Sequence, residues 1–348
     1  MQTKIPVGIL GATGMVGQHF VKFLQNHPWF ELTWVGASDR SAGKKYGEAT
    51  SWRLEGAMPE AVAGLTVRDC KPGDAPKVMF SAMDASVATE IERAFAEAGH
   101  IVVSNSKNHR MEPDVPLLVP EVNADHLRIL PEQKRRGWKG AIVTNPNCST
   151  VVLTMALAPL KPFGIRRVIV TTMQAISGAG YPGVPSMDIN ANVIPYIGGE
   201  EEKMQQETLK ILGECVNGAF VYLDARVSAH CNRVPVLDGH TETVSVELEK
   251  KPSRDEILAA MAAFRGVPQE RKLPSAPARP VIYLEDQARP QPRRDVERER
   301  GMAVFIGRLR HCHVFDWKFV ALGHNTIRGA AGAAVLNAEL MHSEGLLA

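Results

Sequence analysis

The block Asn145-Pro146-Asn147-Cys148-Ser149-Thr150 follows a predicted strand over residues 141–144 and leads into a predicted helix over 151–160. Cys148 therefore falls at a helix start. A helix N-terminus favours a thiolate and can lower a cysteine pKa well below its free value. The carboxyl edge of a parallel sheet is also where ligands bind. The flank of Asn145, Asn147, Ser149 and Thr150 is too polar for an apolar core thiol. Most cysteines are small buried hydrophobes, and that plainer reading fits Cys70, Cys215, Cys231 and Cys312. Cys231 lies near the segment 233–240 and is expected to line the same pocket. Five cysteines at unrelated spacings make neither a disulfide framework nor a CxxC metal site. His311 and His313 flank Cys312 without a further ligand set, so no metal is expected.

A second chemical signal opens the chain. Gly11-Ala12-Thr13-Gly14-Met15-Val16-Gly17 sits between a predicted strand and a predicted helix, with the spacing G-x-x-G-x-x-G. Glycines at such a turn let the backbone approach a pyrophosphate at the positive end of the helix. Gly11, Thr13, Gly14, Met15, Val16 and Gly17 are thus expected to bind a dinucleotide. The second strand ends at Ser38-Asp39-Arg40-Ser41. Asp39 suits the ribose hydroxyl of NAD, whereas Ser38, Arg40 and Ser41 suit the 2′-phosphate of NADP. NADP is the expected cofactor.

These groups need a scaffold, and the apolar pattern supplies one. Residues 4–10, 31–37, 78–82, 101–104 and 141–144 read as strands, most of them continuous apolar runs, with helical patterns at 16–26 and 87–99. Strands covered on both faces and alternating with helices imply a doubly wound parallel sheet of Rossmann type. Past about residue 162 the pattern changes to longer strands at 167–176, 219–230, 242–249, 302–310 and 315–321, with helices at 200–212 and 254–264. A second α+β domain with a mixed or antiparallel sheet is expected. The Ala-rich end reads as a helix packing back on the first domain. The expected division is residues 1–148 completed by 325–348, against a catalytic and dimerisation domain over 149–324.

With 348 residues, 45% of them hydrophobic, the chain has material for two cores, and its formal charge is only +2. No nucleic-acid footprint is present. The basic stretch 289–300 is interleaved with Asp295, Glu297 and Glu299 and reads as a solvated loop. No apolar run approaches the roughly 18 residues of a membrane span. The N-terminus lacks the pattern of a signal peptide, so a cytoplasmic setting is expected.

Four motifs together resemble aspartate-semialdehyde dehydrogenase: G-A-T-G-M-V-G at 11–17, N-P-N-C-S-T at 145–150, Q-A-I-S-G-A-G at 174–180 and N-R-V-P-V-L-D-G-H at 232–240. The ending N-T-I-R-G-A-A-G-A-A at 325–334 is similar as well, and S-D-R-S-A-G-K-K-Y at 38–46 resembles the archaeal and fungal branch. The resemblance implies NADPH-dependent reduction of L-aspartyl 4-phosphate to aspartate 4-semialdehyde through a thioester on Cys148. It makes His240 the acid/base, Gln174 the amide that orients the acyl group, and Arg233 the clamp on the substrate carboxylate. Asn147 joins the substrate contacts, Glu200 takes the substrate amine, and Lys203 and Arg110 take the phosphate, with Lys107 competing for Arg110's role. Read without the resemblance, the run 200–203 is an acidic helix start with a solvated face. Ser81, Ser177, Gly178, Asn325 and Thr326 complete the expected cofactor contacts. A homodimer or a dimer of dimers is implied. The rivals are malonyl-CoA reductase or another acyl-reducing enzyme on the same scaffold, and a non-catalytic NADP-binding redox sensor.

Overall fold

The computed structural model describes residues 3–347, so Met1, Gln2 and Ala348 at the ends of the expected ranges lie outside it. Strands β1 (Ile5–Leu10), β2 (Phe30–Ala37), β3 (Val67–Asp69), β4 (Val78–Ser81), β5 (Ile101–Ser104) and β6 (Ala141–Thr144) form one sheet in the order β3-β2-β1-β4-β5-β6. Every pairing in it is parallel. Helix α1 (Met15–Leu24) turns Phe20, Val21 and Leu24 inward, and α2 (Ala85–Ala98) starts on Asp84, whose carboxylate accepts the Ser86 N–H. The order reverses between β1 and β4, which opens a crevice at their carboxyl ends, as in doubly wound dinucleotide-binding folds. β3 escaped the sequence pattern because it is three residues long with only Val67 buried.

Helix α3 (Cys148–Leu157) starts at the carboxyl edge of β6, and Ser149–Leu157 are buried all round. Its Val151, Leu153 and Met155 pack with Val168, Val170, Val244 and Phe319 of a second core. That core lies on the inner face of a mixed sheet. β7 (Ile165–Gln174) is followed by α4 (Glu200–Ile211), by a hairpin of β8 (Glu214–Val216) and β9 (Ala219–Val221), and by β10 (Arg226–Arg233). β11 (His240–Leu248), α5 (Arg254–Ala263), β12 (Val281–Leu284), β13 (Val304–His311) and β14 (Trp317–Gly323) complete the domain, with sheet order β10-β7-β11-β14-β13-β12. The single strand expected at 219–230 is thus two, broken after Val221 so that β10 can run parallel to β7.

After β14 the chain makes a wide helical turn, Ile327–Ala331, and enters α6 (Gly332–Ser343). Ala334, Val335, Ala338 and Met341 pack against Val7, Phe20 and Phe80 of the first core. Arg328 and Glu121, both fully buried, join as a bidentate pair with separations of 2.9 and 2.6 Å. The basic stretch 289–300 is largely exposed, as its composition implies, with Arg293, Arg294 and 297–300 at the surface, but it folds around one buried acid. Asp295 is fully buried and accepts from the Arg289 and Arg298 guanidinium groups and the Gln291 N–H.

Candidate active site

Asn147 holds the turn before α3 in three directions. Its side-chain oxygen caps the helix, accepting the Ser149 and Thr150 N–H groups at 3.0 and 3.3 Å. Its backbone N–H donates to Glu207 Oε2 at 2.6 Å, and its amide donates to Glu200 Oε2 at 2.7 Å. Behind the thiol lies Gly329, where an added Cβ would stand 2.6 Å from Cys148 Cβ. Only glycine lets the C-terminal turn approach this closely.

The second sheet brings its polar residues to the same edge. Gln174 ends β7, Arg233 ends β10 directly beside it in register, and His240 begins β11. His240 is therefore the first residue of a strand, not a member of the turn expected there. Gly239 makes that turn at φ +98°, and its N–H is held by Asn325 Oδ1 at 2.9 Å. Pro292 and Val296 of the basic stretch close over Gly239, where an added Cβ would stand 3.0 Å from Val296 Cγ2 and 3.3 Å from Pro292 Cβ.

The His240 imidazole is fully buried, with Nε2 3.1 Å from Cys148 Sγ. On its other side Nδ1 accepts the Ala175 N–H at 3.1 Å. Arg233 Nη1 donates to the Ala175 carbonyl at 2.7 Å. Gly178 lies against both residues, since a Cβ there would stand 2.8 Å from Arg233 Nη1 and 3.2 Å from His240 Cε1.

Helix α4 supplies the remaining charges. Glu200 accepts from Lys203 Nζ at 2.7 Å and from the Gln174 amide at 3.4 Å, in addition to Asn147. Two turns on, Glu207 binds Arg110 Nη1 at 2.9 Å. Arg110 Nη2 donates to the Asn105 carbonyl at 2.8 Å, and its buried Nε has no partner among the described residues. Lys210, fully buried, donates to the carbonyls of Arg110, Glu112 and Val115 and so shapes the loop that carries Arg110. Of the run 200–203 expected to be solvated, Glu202 is exposed and Glu201 and Lys203 half-buried, but Glu200 turns inward, and Glu207 and Lys210 further along the helix are buried with it. Lys107 is exposed and stands outside this bonded cluster.

Burial and the nearby Glu200 push the Cys148 thiol up to about 12, against Arg233, Arg110 and the Ser149 N–H, which favour the thiolate. Burial, then Arg233 and His324, push His240 down to about 3. Both shifts favour the neutral forms. The expected lowering of the thiol by the helix start is real in sign but smaller than the cost of desolvation.

The crevice at β1 and β4 fits a dinucleotide. Gly11 has φ +76°, and a Cβ on Gly17 would stand 2.4 Å from the Gly11 carbonyl oxygen. Helix α1 has no side-chain cap and no acidic residue in its first turn, leaving its positive end open to an anion. A cleft of about 730 Å³ runs from Met15 and His19 to Ser177, Asp238 and His324. Thr13 and Val16 lie in the glycine turn, and Ser38, Arg40 and Ser41 lie at the end of β2 with Asp39. Other expected contacts are engaged elsewhere. The Ser81 hydroxyl donates to buried Glu92 at 2.6 Å, Asn325 donates to Ser177 Oγ at 2.8 Å, and the Thr326 N–H reaches His324 Nδ1 at 3.4 Å.

Residues 6–130 match the semialdehyde dehydrogenase NAD binding domain, and residues 157–328 match the semialdehyde dehydrogenase dimerisation domain. The aspartate-semialdehyde dehydrogenase of Methanothermobacter thermautotrophicus is 52% identical over 97% of this chain and 99% of its own. The chain belongs to the aspartate-semialdehyde dehydrogenase family. The family member of Schizosaccharomyces pombe is 47% identical over 98% of this chain and 99% of its own. A crystal structure of aspartate semialdehyde dehydrogenase with NADP from Candida albicans superposes with a TM-score of 0.92 at 42% identity, covering 99% of this chain and all of that one. The family's doubly wound sheet with a second mixed-sheet domain is the fold described above.

Sequence reasoning missed Glu207, Lys210, Gly329 and the Arg328–Glu121 pair. Glu207 carried one readable signal, its spacing of seven residues from Glu200, which puts both on one helix face. Among the described residues no group of three or more His, Cys, Asp or Glu is placed to hold a metal ion, and no helix is long and apolar enough to cross a membrane.

Proposed function

We propose that this chain reduces L-aspartyl 4-phosphate to L-aspartate 4-semialdehyde with NADPH, releasing phosphate, in the biosynthesis of aspartate-family amino acids. The observation that carries the reading is Cys148 Sγ 3.1 Å from His240 Nε2 at the junction of the two sheets, with Arg233 and Gln174 at the same strand edge. Cys148 attacks the acyl carbon to form a thioester, which divides one hard displacement into two easier steps. Arg233 holds the substrate carboxylate, Glu200 its ammonium group, and Gln174 and Asn147 orient the acyl group. Lys203 and Arg110, already among carboxylates, hold the phosphate. Bound NADPH supplies the hydride that reduces the thioester. The residues of the glycine turn together with Ser38, Arg40 and Ser41 would hold it.

The expected division stands as our reading: residues 1–148 with 325–348 bind the cofactor, and 149–324 carry catalysis and dimerisation. The packing of α6 into the first core supports it. We read the chain as a cytoplasmic homodimer or homotetramer. Exposed Met187, Tyr196 and Val193, at 90%, 65% and 53%, support self-association through the second domain. All five cysteines are unpaired, which suits a reducing compartment.

The test is spectrophotometric. The purified chain should reduce NADP when given aspartate 4-semialdehyde and phosphate, and should not oxidise NADPH with malonyl-CoA. Turnover of the CoA ester alone would overturn the substrate assignment.

A further inference from the structure

We infer that Glu92, buried on α2 and outside the reacting groups, is a positioning residue that fixes the loop presenting Arg110 to the phosphate of the reaction. The inference rests on the function proposed above for the task of Arg110, but not for the contacts that hold its loop. Glu92 is fully buried. Its Oε1 accepts the Ser81 hydroxyl at 2.6 Å and the Ser104 hydroxyl at 2.7 Å. Each hydroxyl also accepts a backbone N–H, that of Met83 at 3.4 Å and that of Ser106 at 3.0 Å, so its own proton is the one directed at Glu92. Ser81 and Ser104 are the last residues of β4 and β5. One carboxyl oxygen thus ties two neighbouring strand ends at the point where the Arg110 loop departs.

The second oxygen meets that loop further on. Neither Glu92 Oε2 nor His109 Nε2 has a hydrogen-bond partner among the described residues, and the two stand 3.8 Å apart. The other ring nitrogen, Nδ1, lies 2.6 Å from Glu112 Oε1. Against its partial burial, Glu112 is held below the usual carboxylate range by His109 and Arg136, so Nδ1 is the nitrogen that donates to it. Nε2 is left to face Glu92. Burial raises the Glu92 carboxyl, against both serines and the nearby His109 and Arg110. With Oε1 taken by two donors, Oε2 is the oxygen that carries the proton, and one proton across the gap gives a donor facing an acceptor. A shift of about 1 Å in the loop brings the pair within hydrogen-bond range.

Arg110 is the residue after His109. Its Nη2 donates to the Asn105 carbonyl of the same loop, and its Nε is unpartnered, so where the loop sits decides where the guanidinium points. The Asn108 amide adds a further tie to α2, donating to the Ala85 carbonyl at 2.8 Å. Glu92 is the buried end of this fastening. Without it both serine hydroxyls and the His109 ring lose their inward partner, and Arg110 loses its fixed mounting.

The test separates phosphate from the other substrates. With aspartate 4-semialdehyde, NADP and inorganic phosphate, Glu92→Leu should raise KM for phosphate by about tenfold to a hundredfold, the scale of one hydrogen bond to a charged group. KM for NADP and for the semialdehyde should move by no more than about twofold, within the ordinary spread for sites outside the contact. Glutamine offers an oxygen to both serines and an N–H to His109, so Glu92→Gln should restore KM for phosphate to within about threefold. His109→Phe keeps a ring without its nitrogens and tests the same link if Glu92→Leu does not fold. It should raise KM for phosphate likewise, and the double variant should be no worse than the worse single one. A rise shared equally by all three constants, no rise, or no recovery with glutamine overturns the positioning role. If the unmodified chain does not turn over aspartate 4-semialdehyde, the functional reading fails. Calorimetric titration with inorganic phosphate then still decides the inference: an affinity unchanged by Glu92→Leu, or absent from the unmodified chain, overturns it.

Discussion

His240 and Glu242 lie two residues apart on the same face of β11, both fully buried, yet they are treated in opposite ways. The imidazole is engaged at both nitrogens, by Ala175 and by Cys148. Neither oxygen of Glu242 has a partner among the described residues, although Thr172 and Ala321 stand beside it in register. Burial drives each toward its neutral form, the histidine down to about 3 and the carboxyl well above its ordinary range. Burial therefore sets charge, but only partners set direction. A residue with partners on both sides has a defined job, whereas one without partners carries only the cost of leaving water.

That contrast is open to attack at several points. Cys148→Ala removes the partner His240 faces and should lower kcat by about 10⁴-fold or more, on the scale of losing a covalent nucleophile. NADP binding, followed by nucleotide fluorescence titration, should be almost unchanged; full activity in the variant would end the covalent mechanism. Glu207→Gln leaves Arg110 charged, buried and unpaired, and should cost about 3–5 kcal/mol in urea unfolding. Glu242→Leu should do the reverse. Removing an unpartnered buried acid should leave kcat in place and raise stability by about 1–3 kcal/mol at pH 8. A large fall in kcat would mean Glu242 has a partner in the working enzyme.

The last test concerns pH. Burial lowers His240 to about 3, and lowers His19 and His126 to about 4, from an ordinary 6.5. Below pH 6.5 the unfolded chain takes up these protons and the folded chain does not. Stability should therefore fall as pH drops from 6.5 toward 4, each histidine adding a slope of up to about 1.4 kcal/mol per pH unit. Glu242 acts with the opposite sign. Its folded form keeps a proton that the unfolded chain releases above about 4.5, so its contribution is lost as pH rises. Melting temperatures across pH 4 to 9 should show both limbs, and Glu242→Leu should flatten only the alkaline one.

What the sequence revealed was local. The glycine turn is readable because Gly11 and Gly17 answer a backbone requirement within one turn of chain, and Cys148 because strand, Asn-Pro-Asn cap and helix are contiguous. His240, Arg233 and Gln174 became legible through family motifs, and the sheet register then explains why three segments distant in sequence meet. Glu207 remained hidden because a glutamate on a charged helix reads as solvated until Arg110, 97 residues away, is placed against it. Arg328 was obscured by its small-residue setting, and its meaning depends on Glu121, 207 residues earlier. The basic stretch is exposed as its composition implies, but nothing local marks its counter-ion, Asp295, as buried.

The glycine at 329 has a consequence for the order in which the molecule is made. The wall behind Cys148, the turn Ile327–Ala331 anchored by Arg328 to Glu121, leaves the ribosome well after the nucleophile's helix. Until it arrives, the nucleophile's helix has no backing and Glu121 holds a charge with no counterpart. During synthesis the reactive cysteine thus precedes its own enclosure, and the enzyme's competence waits on a segment made much later.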